Sequence, residues 1–288
     1  MPSGNTRPSY TTGNPNHRNI LIVGDVGAGK SSVVNLIAGE GLAETSDGAA
    51  PSTLSSQEYI VTFDGVKFSL HDTAGMHEAK GSMKDKEYLQ SVYQACMLIS
   101  KLEQSGGISL LMFCVKGTRI TSSVQETYSL FREVFCHHQV PVVTVVTHLE
   151  QYADMEQWWN KNEKHIKEYG LISDGHICIT AARGYEGMHN QKYEESGQMV
   201  RKLLLEHSCR AWQEDRGTWI KRVLQYMGLL SKKPSGSKLR KLLTKRCGFS
   251  EEEAKLVAQK IEKSRRMPGD APEAAKPRFR EKSGTVGM

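Results

Sequence analysis

The sequence predicts an α/β fold: a three-layer domain with a mostly parallel six-stranded sheet, followed by a helical, basic C-terminal extension. Three observations carry that expectation. Short apolar runs alternate with helical spacing through roughly 190 residues, the pattern of strand–helix–strand units with right-handed crossovers. The run Ile20–Val23 leads directly into Gly24-Asp25-Val26-Gly27-Ala28-Gly29-Lys30-Ser31, a G-x-x-x-x-G-K-[ST] loop set between a strand and a helix. Charge also divides along the chain. Residues 216–288 hold 19 Lys and Arg against 7 Asp and Glu, a net of +12, whereas residues 1–215 hold 19 against 25, a net of −6.

Taken in order, residues 1–17 are polar and read as a disordered arm. Arg18–Val23 holds the first strand, whose Ile20–Val23 run is continuously apolar, as a parallel strand buried on both faces should be. A helix follows from Gly29 to about Ala38, then a loop to Ser56 without periodicity. Gln57–Phe63 and Val66–His71 form a hairpin about Asp64-Gly65, the one antiparallel pair expected. Met76–Glu87 is polar and reads as a second mobile segment, followed by a helix over Tyr88–Glu103 and a strand over Ile108–Val115. Ser122–Phe135 is a helix whose stripe of Val124, Tyr128, Phe131 and Val134 is ordinary core packing. Val140–Val146 is a strand, and Asp154–Glu168 is a charged helix with Asp154 as N-cap and Gly170 as stop. Trp158 and Trp159 on that helix fit either a core or an exposed face. His176–Thr180 is the sixth strand and Gly197–Ala211 the closing helix. Leu224, Met227, Leu229 and Leu230 are suited to pack back on the domain. Beyond them, Lys232–Ser237 reads as a linker between the domain and two short helices, Lys238–Arg246 and Glu251–Lys263, the second with a Ser250–Glu253 capping box. Residues 265–288 read as disordered, which divides the chain at 1–17, 18–215, 216–264 and 265–288.

The glycine-rich loop carries the first chemistry. Its glycines let backbone N–H groups turn inward at the positive end of a helix, an anion nest. Gly24, Asp25, Val26, Gly27, Ala28, Gly29, Lys30, Ser31 and Ser32 would cradle the phosphates of a nucleoside di- or triphosphate. Lys30 would reach the β/γ-phosphates, and the Ser31 hydroxyl would ligate Mg²⁺. Asp72-Thr73-Ala74-Gly75 closes the hairpin: an Asp at a strand end beside such a loop serves the Mg²⁺ shell, and the Gly75 N–H can meet a γ-phosphate.

Other classes are disfavoured. Six scattered cysteines (Cys96, Cys114, Cys136, Cys178, Cys209 and Cys247) make no C-x-x-C pair, and Cys136-His137-His138 reads as a helix terminus rather than a ligand set. No apolar run approaches a membrane span, and the N-terminus lacks the apolar core of a secretory signal, so a cytoplasmic protein with reduced thiols is expected. The basic extension calls for an acidic partner: an anionic membrane surface or an acidic protein face, with nucleic acid disfavoured for want of stacking aromatics.

The order of phosphate loop, Thr-bearing loop, D-x-x-G hairpin and two later strand ends resembles the small GTPase G domain, over about Arg18–Arg210. Thr147-His148-Leu149-Glu150, with histidine where most GTPases have lysine, resembles the branch of septins, chloroplast-import Toc GTPases and immunity-associated GTPases. The resemblance implies a P-loop G domain binding GTP or GDP with Mg²⁺. It implies Thr53, with Thr45 as rival, as the switch threonine that joins Ser31 and Asp72 around the metal. It also implies a base site in which Glu150 stands for the guanine-reading Asp, His148 stacks on the base, Thr147 replaces Asn, and the Ala181 backbone completes the pocket. Where Ras-like enzymes carry a water-orienting glutamine stands Met76, so intrinsic hydrolysis should be slow, with His77, Glu78 or a partner group as substitute. Relatives in this branch pair G domain to G domain, which implies a homodimer. The catalytic set expected is therefore Lys30, Thr53, Gly75 and His77. Two functions follow: a slow GTPase switch, peripheral at a membrane through its tail, or a nucleotide-gated assembly module with little turnover. An ATPase would require Glu150 to be irrelevant.

Overall fold

The computed structural model describes residues 16–39, 41–43, 56–73, 86–118, 120–208, 211–214, 216–227, 235–247, 250–252, 254–256 and 258–259. Six strands form one sheet: β1 (His17–Val23), β2 (Gln57–Phe63), β3 (Val66–Asp72), β4 (Leu110–Lys116), β5 (Val142–Thr147) and β6 (Gly175–Cys178). Their order is β2-β3-β1-β4-β5-β6, parallel throughout except for the β2–β3 hairpin. The expected α/β architecture is the one observed.

Alternation along the strands divides the core into two layers. Ile20 and Ile22 of β1, with Phe68, Leu70, Met112, Val143 and Val145, face α1 (Lys30–Ala38) and α5 (Asn190–His207). Leu21 and Val23 face the opposite way, with Leu111 and Phe113. That side is covered by α2 (Lys86–Gln104), α3 (Ser122–Ser129), α4 (Glu156–Glu168) and α6 (Arg216–Tyr226). Registers Ile22↔Asp72, Val23↔Phe113 and Lys116↔Thr147 bring the carboxyl ends of β1, β3, β4 and β5 to one edge. In open α/β sheets that edge is where ligands bind.

Several elements differ from expectation. His17 belongs to β1 rather than to an arm, because its ring meets the Ser69 hydroxyl at 2.9 Å. The helix expected over Ser122–Phe135 is α-helical only to Ser129 and continues as a π-helical turn, Leu130–Phe135, with Arg222 holding its Val134 and Phe135 carbonyls. Asp154 lies one residue outside the N-cap Met155, yet its carboxylate still accepts from the Glu156 N–H at 3.0 Å. Trp158 and Trp159 are both core, Trp159 lying flat on His176 at 3.9 Å. The closing helix begins at Asn190, seven residues before the expected Gly197, because Tyr193 and Ser196 are buried in the same layer as Val200.

The extension folds back onto the domain. Trp219, Ile220, Val223 and Leu224 of α6 share the cluster of α2 and the π-turn, and Trp219 packs on Phe135 at 5.7 Å. The expected linker ends early, since α7 (Gly236–Cys247) already includes Gly236 and Ser237. Leu239 and Leu243 of α7, and Ala254 and Ala258 beyond it, are buried in that cluster too. These four apolar residues therefore pack on the domain itself. Expectations for residues 1–15, 44–55, 74–85, 228–234, Glu253 and 265–288 lie outside the described residues.

Candidate phosphate and base site

The loop after β1 is shaped by contact and by conformation. A side chain at Gly24 would place its Cβ 2.4 Å from the Cys114 carbonyl oxygen, so only glycine lets β1 lie this close to β4. Gly29 takes φ 80°, a left-handed conformation, as the N-cap of α1. No side chain caps α1 and its first turn holds no acidic residue, so its leading N–H groups remain for an anion.

Lys30 is buried, and among the described residues one carbonyl, that of Asp25 at 3.1 Å, takes one of its three N–H donors. Burial pulls its pKa down, while Asp72, Cys114 and Asp25 push it back up. The Ser31 hydroxyl donates to Asp72 Oδ2 at 2.7 Å, and the other carboxylate oxygen, Oδ1, is buried with no hydrogen-bond partner among the described residues. Burial raises the Asp72 pKa, against the Ser31 hydrogen bond and the Lys30 charge. The end of β3 is pinned to β1 by Thr73, whose N–H and hydroxyl both donate to the Ile22 carbonyl. A buried cation, a hydroxyl and an unpaired carboxylate oxygen at a helix N-terminus fit a Mg²⁺–phosphate group.

Asp25 is fixed differently. Its Oδ1 accepts from the Thr127 hydroxyl of α3 at 2.9 Å, tying the loop to the neighbouring helix. A cavity of about 120 Å³ lies on this flank, lined by Val26, Lys116, Thr118, Thr121 and Val124 among others.

The base side begins where β5 ends. Thr147 is buried and its hydroxyl donates to the Ala28 carbonyl at 3.0 Å, so this side chain braces the phosphate loop instead of pointing toward a base. With that proton committed, His148 Nδ1 is the donor across 2.8 Å to Thr147 Oγ1. His148 is held at φ 61°, and burial and Lys116 lower its pKa, against Glu150. The carbonyls of Glu150 and Tyr152 both accept from Lys192 of α5, at 2.9 and 2.6 Å. Beyond β6, the Thr180 N–H donates to the Ser196 hydroxyl at 3.1 Å and sets the turn that carries Ala181.

The structure therefore brings Lys30, Ser31 and Asp72 together and ties Thr147 to Ala28. Thr53 and its rival Thr45, with Gly75, Met76, His77 and Glu78, lie outside the described residues. Sequence reasoning missed Thr127, Ser196 and Lys192. A polar residue three after Val124 on a helix that presents an apolar stripe was the signal for Thr127; Lys192 left none, because its partners are backbone carbonyls. Among the described residues the cysteines make no disulfide and no metal cluster: Cys96, Cys114, Cys136 and Cys178 are buried, and burial pushes Cys114, Cys136 and Cys178 up to about 12.

Residues 19–148 match the family model described as 50S ribosome-binding GTPase. No curated protein sequence matches the chain. Among solved structures, Era in complex with MgGDPNP and a segment of 16S ribosomal RNA is 16% identical with a TM-score of 0.49, covering 70% of this chain and 59% of Era. Era from Aquifex aeolicus bound to GDP and AlF4⁻ is 17% identical with a TM-score of 0.49, over 67% of this chain and 57% of its own. Toc33 from Arabidopsis thaliana with Mg²⁺ and GMPPNP is 16% identical with a TM-score of 0.44, over 69% and 88%. The chain thus spans under two thirds of the Era structures it resembles.

Proposed function

We propose that the chain acts through the P-loop GTPase domain that matches at residues 19–148, binding GTP with Mg²⁺ and hydrolysing it slowly as a molecular switch. The observation that carries this reading is the Lys30–Ser31–Asp72 group, with its buried, unpaired Asp72 oxygen. Lys30 donates to the β/γ-phosphates from a site already stripped of water, where its charge acts in a low dielectric. Ser31 and Asp72 would hold the metal, with Thr53 as the candidate third group. Mg²⁺, when bound, neutralises charge on the β- and γ-oxygens. Glu150 supplies a bidentate acceptor for the guanine edge, one methylene longer than aspartate.

Met76 favours slow turnover, since a thioether cannot orient an attacking water. It also motivates a second reading, an assembly module that holds nucleotide and barely hydrolyses it. Single-turnover hydrolysis across a protein-concentration series separates the two. Rates that rise with concentration support a GTPase activated by pairing of G domains; no turnover at any concentration supports the assembly module.

No helix among the described residues is long and apolar enough to cross a membrane. With Leu239 and Leu243 buried, the exposed Lys238, Lys241 and Lys245 of α7 offer charge rather than apolar surface to an acidic partner. In this reading the protein is cytoplasmic and is recruited peripherally to anionic membrane through that surface. Binding to phosphatidylserine vesicles should weaken steeply with salt, and salt-independent binding would remove the electrostatic account.

A further inference from the structure

Both loops assigned to the base are fastened to one turn of α5. The ammonium of Lys192 draws together the carbonyls of Glu150 (2.9 Å) and Tyr152 (2.6 Å), the first of them adjoining the Cα that carries the Glu150 side chain and the second two residues further on. Next to it, Tyr193 is buried and its ring lies 4.2 Å beneath the guanidinium of Arg183 in the loop beyond β6. Arg183 also pairs with Glu194 at 2.8 Å and donates to Asn190 Oδ1 at 3.1 Å. One turn further, the buried Ser196 hydroxyl accepts from the Thr180 N–H. Four consecutive side chains, Lys192 to Glu195, thus include three that grip a base-side loop. The Glu150 loop needs this grip: α4 starts only at Glu156, so residues 148–155 have no helix or strand ladder of their own.

We propose that Lys192 is a positioning residue for base selection. By binding two carbonyls of the turn, it fixes the backbone from which the Glu150 carboxylate reaches the N1–H and 2-amino group of guanine. An ammonium suits the task because it satisfies two carbonyls at once and is not consumed by the ligand. This inference rests on the guanine-nucleotide reading above and names the residue that tunes it.

The test compares GDP with IDP, which keeps the N1–H but lacks the 2-amino group, on the full chain by calorimetric titration with Mg²⁺. In Lys192→Met, GDP should bind about tenfold more weakly, the worth of one hydrogen bond to a charged group, with a smaller loss for IDP. The GDP:IDP ratio therefore falls. Lys192→Arg, which keeps the donors, should restore most of the ratio. In a Glu150→Gln background, Lys192→Met should leave the ratio unchanged, because the group it positions is already disabled. Equal losses for GDP and IDP in Lys192→Met, or an unchanged ratio, would overturn the inference and leave the guanine reading intact. A wild-type chain that binds ADP as tightly as GDP would remove both.

Discussion

Lys30, Ser31 and Asp72 illustrate a conflict that individual residues carry at this site. A carboxylate whose pKa burial has raised, with one oxygen unpaired, costs folding free energy in its charged form. Asp72→Asn should therefore leave stability unchanged or raise it, while lowering Mg²⁺-dependent GTP affinity by at least about tenfold. Thermal melting and nucleotide titration on the same protein check both halves. His71, on the opposite face of β3, gives a pH prediction. It is buried, its Nε2 has no hydrogen-bond partner among the described residues, and burial lowers its pKa to about 4 against the usual 6.5. Lys101 and His17 lower it further, and Glu58 opposes them. The folded state thus binds this proton less readily than the unfolded chain. Stability present above pH 6.5 should be lost as pH falls toward about 4, and His71→Leu should flatten that slope in denaturant titrations across pH.

Among the elements, those with strong local signals were legible and those built by distant partners were not. Ile20–Val23, the glycine loop and the Asp64-Gly65 hairpin announce themselves through apolar runs and turn chemistry, and each lies where the sequence placed it. The π-turn gave no signal, because one extra residue per turn leaves Phe131, Val134 and Phe135 apolar under either period. The start of α5 was hidden because Asn190–Glu195 is polar apart from Tyr193, and what holds it is Ser196 and Tyr193 meeting the neighbouring layer. Thr147 was legible as a site residue, but nothing in a four-residue motif tells that its hydroxyl meets the Ala28 carbonyl. The π-turn also supplies a test. Arg222 donates to its Val134 carbonyl at 2.8 Å and to Phe135 at 3.3 Å, and pairs with Glu214, both side chains being 17% exposed. Arg222→Met would orphan these groups together. Urea unfolding should show a loss of about 3 kcal/mol, as for breaking a largely buried pair.

At the scale of the whole molecule, the basic extension is part of the fold's stability. Composition revealed its charge but not that its apolar residues complete the layer over α2. Trp219 is 1% exposed, tilted against Phe135 and hydrogen-bonded to Glu103. Trp219→Ala should cost about 3–5 kcal/mol by the cavity it leaves. A chain ending at residue 215 should be less soluble than the full chain, because Phe135, Leu102 and their neighbours would face water. If the truncated chain melted at the same temperature as the full one, the extension would be an accessory and not part of this core.

One edge of the sheet is proposed to hold a guanine nucleotide through the buried Lys30 and a Mg²⁺ site served by Ser31 and Asp72. Titrating the full chain with GTP and ATP, each with and without Mg²⁺, tests it most directly. GTP should bind more tightly than ATP, with affinity that falls when Mg²⁺ is withdrawn. Equal affinity for the two nucleotides would contradict the role of Glu150, and GTP binding indifferent to Mg²⁺ would contradict that of Ser31 and Asp72.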